Sequence, residues 1–343
     1  MRNVLIIKLR YIGDVLLATL TARAIKSARP EVRVTMLVTR GTEDVLFGNP
    51  DIDEVLILDK DSLAAQWQLI TGLRRRRFDI VLDLTDGDRA AFLSWISGAP
   101  VRIGFNDGHR WQGRFYTQVV RFERGVQHRI DRDLEALKLV NIQAGSQDPQ
   151  LWLTPEEEHS ADQLLDQLGV QRSQSIVILQ PGARYWFKAW PPERFAELAD
   201  RLTSQDGCQV LIGGTRQEGD LAQQIRQLAK SRPIVMAGRT TVRQFASIAK
   251  RSALFVGNDS GAMHIASAVG TPVVALFGPS NPREWRPRGG PVEILFKDLD
   301  CGRCSNATCT RGEESCMKLI LVHEVFAAAQ RLLLAGKPGI KAI

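Results

Sequence analysis

The chain has 343 residues, 44% of them hydrophobic and 24% charged, with a formal net charge of +7. That length suits two domains, each able to bury a core, and the composition is that of an ordinary globular protein. No apolar run approaches the roughly 18 residues of a membrane span, and the basic charge favours an anionic partner: nucleic acid, an acidic membrane face or a phosphorylated substrate.

The first ten residues do not read as a signal peptide. Their apolar core is short and leads into charge with no small-residue cleavage site, so the chain is expected in the cytosol with reduced cysteines. Residues 4–9 read as a buried strand. The turn Arg10-Tyr11-Ile12-Gly13-Asp14 follows, then a helix over 15–28 closed by Pro30. Asp14 therefore sits just past the first strand, at the lip of a sheet. It reads either as the N-cap of the helix or as a carboxylate able to take a proton from an acceptor hydroxyl. Strand-like runs recur at 32–38, 55–58 and 80–84, with a helical stretch over 63–77. Strands alternating with helices predict a parallel sheet covered on both faces. Arg74 to Arg77 form either an anion contact or a helix end suited to the dipole and solvent.

Between Arg102 and Arg132 stand seven arginines and three acids (Asp107, Glu123, Asp131), interleaved with Phe105, Trp111, Phe115, Tyr116 and Phe122. This mixture suits a phosphorylated sugar-lipid at a membrane surface. Gly13, Arg110 and Arg114 are the candidate acceptor contacts. The polar, turn-rich stretch 141–157 marks a domain boundary. The expected division is 1–150 and 151–322, followed by a C-terminal helix and tail (323–343) with the option of packing back on the first domain.

The second half repeats the grammar. Helices are predicted over 156–168, 192–203, 220–230, 242–250 and 323–334, and strands over 175–179, 209–212 and 234–236. The most informative stretch is Gly257-Asn258-Asp259-Ser260-Gly261-Ala262-Met263-His264, between the apolar runs 253–256 and 273–277. It reads as strand, tight turn, helix and strand. Ser260 is a plausible N-cap and Gly261 permits close backbone approach, so the helix N-terminus is a natural phosphate site, with His264 in its first turn. The alternative is an ordinary capped βαβ turn. The loop from Gln180 to Pro191 leaves the first strand of this half. Its Arg184 and Lys188 are positioned to meet a diphosphate, unless Trp186 and Trp190 merely pack the domain edge. Glu218, after Gly213-Gly214, can accept from ribose hydroxyls. Two doubly wound domains with a cleft between them would bind ligands at the carboxyl ends of their strands. The chain has no G-x-G-x-x-G after a strand, no P-loop and no G-x-S-x-G elbow. Cys301, Cys304, Cys309 and Cys316 form a C-x2-C-x4-C-x6-C run, compatible with structural zinc or an iron–sulfur centre, or with a packed cluster of reduced thiols.

Taken together, Lys8-Leu9-Arg10-Tyr11-Ile12-Gly13-Asp14-Val15-Leu16, the block from Pro181 to Pro191, the Gly257-to-His264 stretch and Leu276-Phe277-Gly278-Pro279 resemble the ADP-heptose lipopolysaccharide heptosyltransferases, glycosyltransferase family 9, most of all the heptosyltransferase III type. The resemblance spans nearly the whole chain. It implies a GT-B fold, two Rossmann-like α/β domains facing a cleft, and inverting transfer of heptose from ADP-heptose to a phosphorylated inner-core acceptor. It implies Asp14 as general base and Lys188 at the donor phosphates. Asp259, Ser260, Gly261 and His264 would form the diphosphate and donor-sugar loop, with Glu218 at the ribose and Thr240 at adenine. Arg184 would serve as a phosphate contact, since Ala183 replaces a threonine found in some members. No metal is required for catalysis, no nucleic-acid partner is expected, and the protein would sit peripherally on the cytoplasmic face of the inner membrane. The rival readings are heptosyltransferase II, another GT-B enzyme with a different nucleotide sugar or acceptor, and a non-catalytic nucleic-acid-binding protein.

Overall fold

The computed structural model describes residues 1–106, 111–123, 125–145, 148–171, 173–299, 304, 309 and 311–335. The chain forms two compact units, Met1–Trp152 and Leu153–Ile343.

The first unit runs β1 (Asn3–Lys8), α1 (Ile12–Ala28), β2 (Arg33–Thr39), β3 (Glu54–Leu58), α2 (Leu63–Arg75), β4 (Ile80–Asp83), α3 (Asp88–Ile96), β5 (Val101–Phe105), β6 (Gln118–Val120) and α4 (Arg129–Lys138). Its strands form one parallel sheet in the order β3-β2-β1-β4-β5-β6. Val4, Leu5, Ile6 and Ile7 are fully buried, as a central strand covered on both faces requires. Helix α1 starts three residues earlier than its apolar pattern suggests. The Val15 amide donates to the Tyr11 carbonyl at 3.0 Å, closing the first turn, and Tyr11 occupies the N-cap. Asp14 is thus the third helical residue and does not cap the helix.

The second unit runs α5 (Pro155–Gln167), β7 (Ile176–Gln180), α6 (Pro192–Asp206), β8 (Gln209–Ile212), α7 (Gly219–Leu228), β9 (Ile234–Val235), α8 (Val242–Arg251), β10 (Leu254–Asn258), α9 (Gly261–Ala268), β11 (Val273–Phe277), α10 (Pro282–Trp285), β12 (Val292–Phe296), α11 (Cys316–Leu319) and α12 (Val322–Ala335). Its parallel sheet has the order β12-β11-β10-β7-β8-β9. Counted within each unit, both sheets have the order 3-2-1-4-5-6 of doubly wound nucleotide-binding folds. Helix α12 packs within the second unit: Val325, Phe326, Ala328 and Ala329 join Leu198, Leu202, Val256 and Val274 in one core cluster. Among the described residues no helix is long and apolar enough to cross a membrane.

This topology fixes where ligands go. Strand order reverses between β1 and β4, and again between β7 and β10, and the loops at these reversals diverge to leave a crevice at the carboxyl ends of the strands.

Candidate functional site

At the first reversal point, the loops after β1 and β4 bring together a buried charge network. Lys8, the last residue of β1, is fully buried. Its Nζ donates to the Asp133 carboxylate at 2.6 Å and to the Leu84 carbonyl at 3.0 Å. The Arg132 guanidinium holds the other Asp133 oxygen at 2.6 Å and lies 4.1 Å from the Phe105 ring centroid. Burial lowers the Lys8 ammonium to about 8 despite the pull of Asp133. Burial also pushes the Asp133 carboxyl upward, but Lys8, Arg132 and Arg129 together outweigh it and hold the group well below the usual range. A buried ion stays charged only when partners replace water; here Lys8 ends β1, the Leu84 carbonyl follows β4, and Asp133 and Arg132 both come from α4. The network therefore pins α4 against the end of β1.

Asp14 stands beside this network, 8% exposed, and its charge acts on both Lys8 and Arg129. It lies in the first turn of α1, where the positive end of the helix dipole favours a carboxylate. Gly13 is buried in the same turn. Across the reversal, Asp83 accepts from the Tyr116 hydroxyl at 2.7 Å and from the Thr85 amide at 2.8 Å. Arg10 donates to the carbonyls of Thr85 and Asp86. Asp86 takes a left-handed conformation (φ 61°), which aspartate tolerates better than most residues. Beside these loops opens a cavity of about 580 Å³ whose lining includes Arg10, Thr39, Lys60, Thr85 and Arg89. It offers cations and hydroxyls to an anionic, hydroxyl-rich ligand.

The expected acceptor contacts divide. Arg114 is exposed in a 3-10 turn, Trp111–Phe115, whereas Arg110 lies outside the described residues. Of the Arg74-to-Arg77 block, Arg76 pairs with Glu54 at 2.7 Å and holds α2 to β3; Arg74 and Arg75 occupy the last turn of α2.

At the second reversal point the donor-side candidates converge. Asp259 and Ser260 follow β10, and Lys188 is reached through the loop after β7. Lys188 Nζ donates to Asp259 Oδ2 at 2.9 Å, a pair that is mostly shielded from solvent. The Asn258 side chain braces the same loop: its Oδ1 accepts from the Trp190 backbone amide at 3.1 Å and its Nδ2 donates to the Pro181 carbonyl at 2.7 Å. Ser260 occupies the N-cap of α9 with extended dihedrals, yet its hydroxyl caps nothing. Its Oγ is buried without a hydrogen-bond partner. An N-cap serine normally satisfies one of the free amides of the first turn, so both the hydroxyl and the amides remain available for an anion. Gly261 opens the helix, and His264 is buried in its first turn.

Glu218 is held in a capping box with Thr215, whose amide donates to it at 2.7 Å. It also faces the turn after β7: a side chain at Gly182 would collide with the Glu218 carboxylate. Thr240 follows β9, and the Gly238 amide ties that segment to the Gly214 carbonyl at 2.9 Å. Lys188, Glu218, Thr240, Asp259 and Ser260 therefore stand along the carboxyl edge of one sheet. Arg184 is exposed on the loop after β7, over the Tyr185 ring. Trp190 is core; Trp186 faces solvent.

The cysteine run is only partly described, since Cys301 lies outside the described residues. Cys304, Cys309 and Cys316 are unbridged. Among the described residues no three His, Cys, Asp or Glu side chains gather as metal ligands.

Residue patterns had not singled out Lys8, Asp133 or the Asp83–Tyr116 pair. Lys8 carried a usable signal, an ammonium ending an otherwise apolar central strand, which demands a buried acid.

Residues 66–314 match glycosyltransferase family 9 (heptosyltransferase). Lipopolysaccharide heptosyltransferase 3 of Escherichia coli K12 is 31% identical over 343 residues, covering 96% of this chain and 98% of that one. A family 9 glycosyl transferase from Veillonella parvula superposes with a TM-score of 0.86 at 26% identity, covering 98% of each chain. The E. coli ADP-heptose lps heptosyltransferase II shares the fold, with a TM-score of 0.81 at 21% identity over 98% of this chain and 99% of that one.

Proposed function

Because the chain belongs to glycosyltransferase family 9, the heptosyltransferases, we propose that it transfers L-glycero-D-manno-heptose from ADP-heptose to the lipopolysaccharide inner core, as a heptosyltransferase of the III type. The III type is preferred to the II type because likeness falls from 31% to 24% identity between the E. coli K12 relatives of the two kinds. The observation that carries the reading is the set of groups at the second reversal point: a lysine, an unspent serine hydroxyl and an open helix N-terminus on one sheet edge. These are the groups that a nucleoside diphosphate leaving group needs.

The second unit holds the donor. Lys188 and the N-terminus of α9 take up charge as it develops on the departing diphosphate, with Ser260, Gly261, His264 and Arg184 around it; Asp259 holds Lys188 ready. Glu218 and Thr240 receive the adenosine. On the first unit, Asp14 takes the proton of the acceptor hydroxyl as that oxygen bonds to the anomeric carbon. The C–O bond to ADP breaks on the opposite face, so configuration inverts. Gly13 leaves the hydroxyl room to approach, Arg10, Lys60 and Arg89 line the neighbouring cavity and hold the phosphorylated core sugar, and Arg110 and Arg114 are the further acceptor contacts. The enzyme works peripherally at the cytoplasmic face of the inner membrane, where its lipid-anchored acceptor lies, without nucleic acid.

A protein cation and a helix dipole supply the positive charge, so no metal enters the chemical step. Acceptor-dependent ADP release from ADP-heptose, with deacylated inner-core oligosaccharides and excess EDTA, is expected to proceed as without chelator. UDP- and GDP-sugars are expected to give none. Turnover of those sugars in place of ADP-heptose contradicts the donor assignment. Loss of turnover in EDTA with recovery on magnesium contradicts the metal-free mechanism.

A further inference from the structure

Helix α3 presents an outward face unlike that of a solvated helix. Ala90, Ala91, Leu93 and Ser94 are buried against the sheet, while Arg89, Phe92 and Trp95 point outward at i, i+3 and i+6. Phe92 is 43% exposed and Trp95 52%. The 3-10 turn before β6 extends the patch. Trp95 and Phe115 have ring centroids 5.8 Å apart, Phe92 and Phe115 6.2 Å, and Trp111 and Phe115 5.5 Å. Trp111 is 59% exposed. Four aromatic rings thus form one contiguous surface cluster. On α2, which packs on the same face of the sheet, Leu63 and Trp67 are exposed as well. The aromatic-basic segment from Arg102 to Arg132 splits in two: Phe105 and Tyr116 turn inward, whereas Trp111 and Phe115 join α3 outside.

A contiguous exposed aromatic cluster marks an interaction surface. Tryptophan, with an apolar body and a polar N–H, suits the boundary between water and acyl chains. The cations at its edge select the occupant. Arg89 and Arg114 are exposed beside the rings, and the chain carries +7 overall, which complements an anionic leaflet and repels a second copy of the same basic face.

We propose that the Phe92, Trp95, Trp111 and Phe115 face docks the enzyme in the headgroup region of an anionic bilayer. Arg89 belongs both to this face and to the cavity lined by Arg10 and Lys60, so docking brings that cavity to the depth where a lipid-anchored, phosphorylated sugar emerges. What the docking serves rests on the function proposed above; the surface itself does not.

The test is co-sedimentation of the full chain with vesicles of phosphatidylethanolamine and phosphatidylglycerol, against phosphatidylcholine alone, for wild type and for Phe92→Ala with Trp95→Ala. Both side chains are exposed and alanine is the best helix former, so the fold is expected to hold. Wild type is expected to bind the anionic vesicles, and the double variant to partition roughly tenfold or more weakly, because interfacial binding scales with buried apolar area plus electrostatic attraction. Turnover of a deacylated, water-soluble acceptor should remain within about twofold. In wild type, brominated acyl chains should quench tryptophan fluorescence. Equal partition of the two proteins, or no binding by wild type, overturns the proposal. So does a wild-type dimer that the substitutions convert to monomer, which would make the face a self-association surface. ADP-heptose turnover without vesicle binding sinks the docking face alone. Vesicle binding lost in the variant, with no ADP-heptose turnover by wild type, sinks the function alone.

Discussion

Asp83 shows what the first reversal point demands of a single residue. Its carboxyl is fully buried, and burial pushes it to about 6, with Asp86 adding repulsion and the bonds from Tyr116 and Thr85 pulling the other way. An unfolded aspartate titrates near 3.9. Between roughly pH 4 and 6 the folded chain therefore binds more protons at this site than the unfolded chain, so its contribution to stability falls as pH rises through that window. The full cost, of order 3 kcal/mol for a shift of about two units, is reached above roughly pH 7. Asp83→Asn removes the titration. In urea unfolding, the stability of the variant relative to wild type is expected to rise by about 1–3 kcal/mol from pH 4 to 7 and then to stay flat. Parallel curves across the window contradict the assignment. Lys8 and Asp133 differ in kind: each has a charged partner, so the pair keeps its charges and serves as a rivet between β1 and α4. Asp14 lies in the first turn of α1, next to the rivet and not part of it.

Among the elements, α9 is the clearest case of structure withheld from its own stability. A serine at an N-cap usually contributes about 1 kcal/mol through its bond to the first turn; Ser260 makes no such bond. Ser260→Ala is therefore expected to change unfolding free energy by less than about 0.5 kcal/mol while raising the donor KM roughly tenfold, the worth of one hydrogen bond to a charged group. Destabilisation by 1 kcal/mol or more with an unchanged KM would mean that the hydroxyl caps the helix in solution. The strand–turn–helix reading of 253–277 was legible because apolar runs, glycines and proline punctuate it. Helix α1 was legible except at its start, because Tyr11 caps it without a recognisable capping side chain. Strands β5, β6 and β12 and helices α3, α4, α10 and α11 were not read. Strand β6 has three residues, β12 is half-exposed throughout, and the outward aromatics of α3 blur the period that an amphipathic helix shows. The rivet was not legible because its partners stand 125 residues apart, a pairing that only the sheet order creates.

At the scale of the whole molecule, one topology is used twice. Both units run their strands in the order 3-2-1-4-5-6, and both gather their polar side chains where that order reverses. The two edges differ in chemistry. The second has an open helix N-terminus and a lysine, suited to a diphosphate. The first has a carboxylate beside a buried charge network and a cavity of cations and hydroxyls, suited to a sugar acceptor. That asymmetry is the physical content of the proposed division between donor and acceptor units, and it places the whole demand for proton removal on Asp14. The most direct measurement is acceptor-dependent ADP release from ADP-heptose by wild type and by Asp14→Asn, with folding checked by circular dichroism. A general base contributes about 100-fold or more, so kcat is expected to fall by at least that factor with the fold retained. A folded Asp14→Asn protein whose kcat stays within tenfold of wild type would contradict the account.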